Sequence, residues 1–528
     1  MRHWFEDQLE HPNPVWVREL RQSARLHRTP LILALITSMM ALLICSVGGS
    51  VSVTLEPAKV GVALFHTFFS VAFALVSWLG PAVASSSIAS ERSNRTWEAL
   101  LLTGLTPARI ARGKFFSALT YIGLYLVTLA PVGALPFLFG GVTPTEVIIA
   151  FVLMALVAAL SVAFGLAMSS KLSSPAVAII VTLVLAIPGS MFLFLLLGPA
   201  LSISVHELWP SVDAGPPIWL PAAYVRADFG VEYLVLLVLG PLVATVIPGW
   251  LLFEVTVSNM SDPSADRSSG VRRWFLVSAP AITATLAAFV AVIPGRSGPT
   301  VAAVTLFCFL VTVAFLFMGE PLWPSRRVVE TWQHTQARML KSEIWWSRSS
   351  IRRFLGPGIL QASSLLLVLG LSVIGLLVTC LLAMRLPPIR IRQVLAVNGY
   401  LAGFFVFVVG LGAWVRSRAH SSVGPRMLMI AALFSITVGP WIAMAIAGVV
   451  SQTDKAVLVA APSPTFALVM SDALTTHAAG WQERISAGAM AAGGWTVFGA
   501  FLLGAARVRV RRLHSDHQRS LAELEALL

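Results

Sequence analysis

The chain has 528 residues, of which 57% are hydrophobic and 12% charged, and a formal net charge of +13. Water-soluble domains have roughly 25% charged residues, so this composition excludes a soluble globular protein. Membrane proteins collect Lys and Arg in loops on the cytoplasmic side, so we attribute the positive charge to topology and predict no nucleic-acid partner.

The first predicted element is an amphipathic helix over residues 13–28. Asn13 suits the N-cap position, and Pro14 suits the first helical turn. Two sets of residues recur at helical spacing: basic Arg18, Arg21, Arg25 and Arg28, and apolar Trp16, Leu20 and Ala24. We expect such a helix to lie in the inner headgroup layer, where anionic lipids attract arginines. The alternative is a solvated helix that merely precedes the first span.

Apolar stretches of about the 20 residues that a membrane span needs follow along the chain. They are placed at 31–53, 61–88, 115–140, 146–169, 175–200, 231–254, 275–294, 300–318, 359–384, 396–415, 427–450 and 486–506. The predicted fold is an all-α polytopic membrane protein with about 12 transmembrane helices. With a cytoplasmic N-terminus, 29 of the 37 Lys and Arg residues fall inside, so both termini are predicted to be cytoplasmic. The topology after residue 384 stays open, because Arg385, Arg390 and Arg392 fall outside.

A polar, basic segment over residues 89–114 separates the second and third predicted spans. Ser93 or Asn94 can cap a short helix, which Gly104 can end in a left-handed conformation. The apolar positions of this helix are Trp97, Leu100, Leu101 and Leu105. Thr106 and Pro107 then begin a second helix that carries Arg109 and Arg112. This pair of helices is too short to span a bilayer and too apolar to be a free loop, so it needs a partner or the membrane surface.

The same segment resembles the one between the second and third spans of ABC-2-type ABC transporter permeases. The family pattern, I-x-x-E-[KR]-x-x-x-T-x-E-x-L-L-x-[TS]-x-[LV]-[ST]-x-x-x-[IL]-x-x-G-K, is met by Ile88, Glu91, Arg92, Thr96, Glu98, Leu100, Leu101, Thr103, Leu105, Thr106, Ile110, Gly113 and Lys114. One departure is Arg95, where the family commonly has glycine. Residues 13–22 also resemble the membrane-surface helix that opens many such permeases. The resemblance covers roughly residues 13–255 and does not extend over 256–528.

The resemblance implies that residues 94–114 form a coupling helix that docks into a separate ATP-binding subunit. The implied docking residues are Glu91, Arg92, Thr96, Trp97, Glu98, Leu100, Leu101, Thr103, Leu105, Gly113 and Lys114. Among them, Trp97, Leu100, Leu101 and Leu105 are expected to form the docking ridge, with polar anchoring from Glu98 and Arg92. The implied surface-helix residues are Trp16, Arg18, Leu20, Arg21 and Arg25. ATP and Mg²⁺ are expected on the partner ATPase, because this chain lacks the G-x-x-x-x-G-K-[ST] phosphate loop and should bind no cofactor itself.

The polar segment 255–274 is the predicted linker between two halves. Residues 1–255 are expected to form a six-helix, ABC-2 permease-like domain, and residues 256–528 a second six-helix region with a basic cytoplasmic segment at 319–358. That segment is either a second coupling helix, since Arg326 to Trp332 faintly echo Glu91 to Glu98, or a basic surface helix. The outer loops Leu201–Gly230 and Ser451–Arg484 are expected to hold turns and short interfacial helices. The chain is then either two permease units in one or one unit with an appended region that homodimerises.

The expected function is the permease subunit of an ABC transporter that works as an exporter in the cell inner (cytoplasmic) membrane. One alternative is a secondary transporter of six-plus-six architecture. It is disfavoured because His66 is the clearest ionisable residue within a span, and ion-coupled carriers need such groups at depth. A membrane-embedded glycosyltransferase ranks last, because residues 50–60 offer only Glu56 as an acidic residue. No catalytic or metal-binding pattern is present, and the three cysteines lie far apart within apolar runs.

Overall fold

A computed structural model describes residues 12–24, 28–195, 201–210, 220–262, 266–293, 297–323, 358–384, 386–419, 423–451, 454–476 and 480–527, with isolated residues between these ranges. Within these ranges, helices account for all regular secondary structure, and twelve of them are long and apolar enough to cross a membrane. The all-α polytopic fold is therefore confirmed. The chain divides into two compact units, Met1–Ser261 and Asp262–Leu528. Arg25 and residues 331–355, most of the basic segment 319–358, lie outside the described residues.

The first unit begins with the surface helix and continues through six candidate spans. Its helices are α1 Pro14–Ala24, α2 Arg28–Ser52, α3 Pro57–Ser93, α4 Thr96–Leu102, α5 Pro107–Gly133, α6 Leu135–Leu138, α7 Pro144–Ser169, α8 Pro175–Leu195, α9 Leu201–Leu208, α10 Leu220–Arg226 and α11 Val231–Met260. Pro57, Pro107 and Pro144 each open a helix, where the missing N–H costs no hydrogen bond. The first unit thus places the short helix α4 between two spans, as the sequence predicts.

The long helix α3 forms the centre of the first unit. Its side chains Phe65, Phe68 and Ile88 are fully buried, and α3 packs against α7 and α8. Helix α7 comes so close that a Cβ at Gly165 would lie 2.5 Å from the backbone oxygen of Pro81. Small residues permit such close contact between membrane helices, where packing rather than hydrophobic burial drives association. The C-terminal half of α3, which leads towards α4, is therefore in close contact with α7.

The second unit holds the other six candidate spans. Its elements are α12 Ser269–Val292, α13 Gly298–Phe317, α14 Ile359–Ala383, α15 Pro388–Arg416, α16 Val423–Ser451, a 3-10 helix Asp454–Ala460, α17 Phe466–Thr475 and α18 Trp481–Leu527. Helix α15 is central and packs closely on α18, with the Trp495 ring 4.4 Å from that of Phe407. Helix α18 continues well past the predicted end of the last span at residue 506, because Arg, Gln and Glu favour helix outside the membrane as well.

Part of the described loop 451–484 packs into the second unit. The Tyr400 hydroxyl lies 2.7 Å from the backbone oxygen of Ala461 and 2.8 Å from that of Ser463. Phe466 and Met470, in α17, are almost completely buried. The expected turns and a short helix are thus present, and their position at the membrane interface stays a prediction. The apolar residues of this part of the loop fold back against α15, which offers partners for the backbone carbonyls of the turn.

Candidate functional site

The surface helix α1 is anchored to the start of α5. The Asn13 side chain caps α1, its Oδ1 accepting from the Val15 N–H at 3.0 Å, and its Nδ2 donates to the backbone oxygen of Arg109 at 2.7 Å. A Cβ at Gly113 would lie 2.7 Å from the Cβ of Val15, closer than real side-chain contacts allow. Gly113 is thus the position at which α1 and α5 touch, which gives a physical reason for glycine there.

The apolar side of α1 faces protein. The Trp16 indole N–H donates to the Thr120 hydroxyl at 3.3 Å, and the Trp16 and Phe116 rings are 6.5 Å apart. Leu20 is half-buried and Arg21 is exposed. Contact with the membrane surface therefore stays a prediction for α1, while its attachment to α5 is observed.

Four charged side chains from three helices form what we call the elbow network: Arg18 and Glu19 of α1, Glu91 of α3 and Lys114 of α5. The Lys114 side chain is 1% exposed, and its Nζ lies 3.2 Å from Glu19 Oε1 and 3.1 Å from Glu91 Oε1. Arg18 Nη2 lies 3.0 Å from Glu19 Oε1 and 2.6 Å from Glu91 Oε1. Lys114 Nζ also donates to the backbone oxygen of Ser87 at 3.1 Å. The network ties together α1 and the two spans that flank α4.

The charges of the network act on Glu19. Burial by itself would raise the pKa of the Glu19 carboxyl, but the Lys114 charge and hydrogen bonds from Arg18 and Lys114 hold that pKa below its usual value. In Glu91, Oε1 receives both cations, while Oε2 is buried without a hydrogen-bond partner among the described residues. The Glu19 carboxylate is thus kept ionised next to cations, and the ion pairs of Glu19 and Glu91 join the three helices.

The turn between α3 and α4 holds an unusual backbone conformation. Arg95 has a φ of +57°, the left-handed region, and it is the only described residue other than glycine with a positive φ. Left-handed backbone costs an L-residue energy that glycine does not pay. The left-handed backbone explains why glycine is common at this position in the family. Arginine adopts the same conformation in this chain at a cost in conformational free energy. The Thr96 hydroxyl donates to the backbone oxygen of Glu91 at 3.2 Å and closes the turn.

The apolar side of α4 turns inward instead of forming an exposed ridge. Leu100 is 6% exposed, and Trp97 and Leu105 are half-buried against the core of the first unit. The side chain of Leu101 lies outside the described residues. The expectation that these residues form an outer ridge is therefore wrong for Leu100, because a seven-residue helix needs its apolar side to attach to the unit.

The outer side of α4 presents other residues. Leu102 is 87% exposed, and Glu98 and Thr103 are also exposed. The Arg92 guanidinium lies 5.6 Å from the Trp97 ring centroid and donates to the backbone oxygen of Asn259 at 3.4 Å, so Arg92 belongs to the support of α4. Sequence reasoning missed Leu102, although its position two residues after Leu100 places it on the opposite side of the helix.

The start of α5 follows the sequence prediction. The Thr106 hydroxyl accepts from the Arg109 N–H at 3.3 Å, and Pro107 occupies the first turn. Gly104 has a φ of +74°, which ends α4. Ile110 is fully buried. Helix α4 is thus held between a left-handed turn at each end, with the core beneath it.

An apolar cavity of about 80 Å³ lies within the first unit, away from α4. Its walls come from α3, α7, α8, α10 and α11 and include Phe69, Phe73, Phe194 and Thr245. The Thr245 hydroxyl donates to the backbone oxygen of Pro241 at 2.7 Å, so its hydrogen is not available to a ligand in the cavity. The buried His66 ring lies edge-on to Phe65, with centroids 5.9 Å apart.

Comparison with known proteins gives one match. Residues 28–213 match the family described as ABC-2 family transporter protein. This region contains α3, α4 and α5 and all the predicted docking residues from Glu91 to Lys114. No curated protein and no solved structure matches the chain.

Proposed function

We propose that this chain, whose residues 28–213 match the ABC-2 transporter family, is the permease subunit of an ABC transporter and works with a separate ATPase subunit that docks on α4 and drives export. The chain is a multi-pass membrane protein, and in this proposal it is the transport subunit, while ATP hydrolysis belongs to its partner. In this proposal ATP and Mg²⁺ bind only to the ATPase. The membrane is the cell inner membrane, with α4 on its cytoplasmic side, in agreement with the positive charge of this segment.

The observation that carries the proposal is the exposed Leu102 on a rigidly supported helix. Helix α4 has only seven residues, yet its inner side is anchored by Leu100 and Trp97 and its flanking spans are joined by the elbow network. Leu102 is 87% exposed beside the acidic Glu98. An apolar side chain surrounded by polar groups on a preorganised element is the usual centre of a protein docking site.

The support of α4 suggests how force is transmitted. An ATPase that binds α4 differently in its ATP-bound and ATP-free states shifts the equilibrium between permease conformations. Because Glu91 and Lys114 join the end of α3 to the start of α5, displacement of α4 moves both spans together with α1. The expected motion is that of a packed group of helices, as in other domain-scale transitions.

The test is the substitution Leu102→Asp, measured as co-purification of the ATPase that is co-expressed with the full-length chain. Burial of a leucine side chain is worth about 1.5–3 kcal/mol, so we expect at least roughly tenfold weaker binding. Glu98→Arg should weaken binding as well, by reversing the charge next to Leu102. Membrane insertion should be unchanged, because neither side chain packs in the core.

The matched control is Leu138→Asp. Leu138 is 74% exposed and lies in α6, at the other end of the span formed by α5. The substitution Leu138→Asp should leave ATPase binding at the wild-type level. Wild-type binding by both Leu102→Asp and Glu98→Arg would overturn the proposed docking site, and equal losses for Leu102→Asp and Leu138→Asp would mean that the effect is not local to α4.

The remaining aspects of the assembly follow from the same proposal. Two permease units are expected to form one transport path, and only the first unit has the family match, so a second copy of this chain is the expected partner. The apolar cavity between α3 and α7 favours an amphipathic or lipidic cargo over a charged one. Mass measurement of the complex with its ATPase would give the number of permease chains, and a single copy would contradict the homodimer.

A further inference from the structure

One end of the second unit concentrates arginines from several helices. Arg272 of α12 is neutralised there: its Nη2 lies 2.8 Å from both carboxylate oxygens of Glu320, and both side chains are almost fully buried. Glu320 follows α13, just beyond its last residue Phe317. This pair uses the carboxylate of Glu320, so the other arginines nearby must find different partners.

Arg416 ends α15 and is 6% exposed. Its Nε donates to the backbone oxygen of Glu320 at 3.1 Å, and its Nη1 donates to that of Ala419 at 2.7 Å. Both acceptors are neutral carbonyls. They satisfy donors of the guanidinium but contribute no opposite charge, and in the part of the chain that the structure describes no carboxylate pairs with Arg416.

Arg426 lies in the first turns of the next helix, α16. Its Nη2 donates to the backbone oxygen of Leu316 at 3.4 Å, and its guanidinium lies 5.7 Å from the Phe315 ring centroid. Its Nε is buried and has no hydrogen-bond partner among the described residues. A Cβ at Gly319 would lie 2.6 Å from Nη2 of Arg426. Arg416 and Arg426 therefore flank the consecutive residues Gly319 and Glu320. No described carboxylate forms an ion pair with either of them.

Two further arginines surround this pair. The Arg418 guanidinium stacks 4.0 Å from the Trp414 ring centroid, and Arg509 Nε of α18 donates to the backbone oxygen of Ser417 at 3.2 Å. Tryptophan and arginine are typical of the boundary between hydrocarbon and headgroups. The turn after α15 is thus ringed by positive charge at the level where a membrane helix ends.

We propose that Arg416 and Arg426 bind the phosphate of an anionic phospholipid. A phosphodiester offers the acceptors and the negative charge that the two guanidinium groups lack, and arginine donors match phosphate geometry. Among the described residues the Arg426 guanidinium has one hydrogen-bond acceptor, the backbone oxygen of Leu316, which leaves donors of its other nitrogens for the phosphate. A headgroup site between helix ends follows the general pattern of basic pockets on the cytoplasmic side of membrane proteins.

A lipid fits better than a soluble anion because the site opens beside apolar surface. Val423 and Met427, on either side of Arg426 in α16, are 66% and 63% exposed. Acyl chains can lie against these side chains while the phosphate stays with the arginines. A free phosphate ion would gain nothing from that surface.

The test uses the full-length chain in nanodiscs of phosphatidylcholine, with and without phosphatidylglycerol. Native mass spectrometry should find phosphatidylglycerol retained by the wild type, and Arg426→Gln should weaken retention at least about fivefold, since each basic residue near the surface contributes on the order of 1 kcal/mol. Arg426→Lys should retain most of the lipid. The control is Arg507→Gln, which removes an exposed arginine of α18 and should leave retention unchanged.

Four results would overturn the proposal. The first is equal retention by the wild type and Arg426→Gln, and the second is an equal loss in Arg507→Gln, which would indicate unspecific surface charge. The third is thermal stabilisation by inorganic phosphate without any by phosphatidylglycerol, which would assign the site to a soluble anion. The fourth is a low melting temperature of Arg426→Gln in pure phosphatidylcholine, where no anionic lipid is present. We expect the wild-type melting temperature there, so that any loss of retention reports lipid binding. A much lower melting temperature would assign Arg426 a structural role instead.

Discussion

The elbow network makes a quantitative prediction for Lys114→Met. Methionine keeps the length and apolar stem of the side chain but removes the charge that lies 3.2 Å from Glu19 and 3.1 Å from Glu91. Removal of one partner from a buried ion pair costs about 3–5 kcal/mol. Here Glu19 and Glu91 are 23% and 12% exposed and Arg18 still contacts both, so water and Arg18 reduce the penalty to roughly 2 kcal/mol.

Hydrogen exchange of the α1 amides measures this loss directly. A cost of about 2 kcal/mol for the attachment of α1 corresponds to roughly 30-fold faster exchange over residues 14–24. The matched control is Lys59→Met, because Lys59 lies 3.5 Å from Glu56 in a pair whose side chains are 67% and 78% exposed. This exposed pair should contribute almost nothing, and exchange should stay at the wild-type rate.

A double substitution separates charge from packing. Glu91→Gln added to Lys114→Met removes both members of one pair, so it should restore part of the protection that Lys114→Met loses. Exchange in α1 within twofold of the wild type after Lys114→Met would refute the reasoning. Fully additive effects of the two substitutions would also contradict it, since they would mean that the charges do not interact.

Two further predictions concern the same region. Arg95→Gly should stabilise the first unit by about 1 kcal/mol in denaturant unfolding, because glycine adopts the φ of +57° without the steric cost of a side chain; a loss of stability would show that the arginine side chain has a role of its own. The lowered pKa of Glu19 means that its contribution is complete above the ordinary glutamate value of about 4.3 and is lost as the pH falls through the lower folded-state pKa. The protection of α1 amides from hydrogen exchange should therefore decrease when the pH is lowered below about 4.3, and Glu19→Gln should abolish this decrease. An unchanged decrease in Glu19→Gln would assign the pH dependence to another group.

The fold and the boundaries around α4 could be predicted from the sequence. Spans follow from apolar length, and the cap at Thr106, the proline at 107 and the left-handed Gly104 are local signals that need no tertiary contact. The pattern from Ile88 to Lys114 likewise indicated the family that residues 28–213 match. The docking of an ATPase on these residues stays a prediction.

The outward side of α4 could not be predicted in the same way. Trp97, Leu100 and Leu102 are all apolar, and in a short helix beside a membrane either side could face the protein. Burial of Leu100 in the core decided the orientation and left Leu102 exposed. The buried segment around Phe466 escaped prediction for a related reason, because its partner Tyr400 lies about sixty residues earlier in the chain.

By itself the sequence determined the membrane spans, the helix ends around α4 and the family that residues 28–213 match, because apolar length, capping residues and motif spacing act over a few residues. Only the tertiary structure decided which charges meet. Arg18, Glu19, Glu91 and Lys114 are separated by up to 96 positions. The Glu320 carboxylate pairs with Arg272, and no other described carboxylate pairs with Arg416 or Arg426. Coulomb interactions depend on distances in space, and these are fixed by helix packing and not by order along the chain.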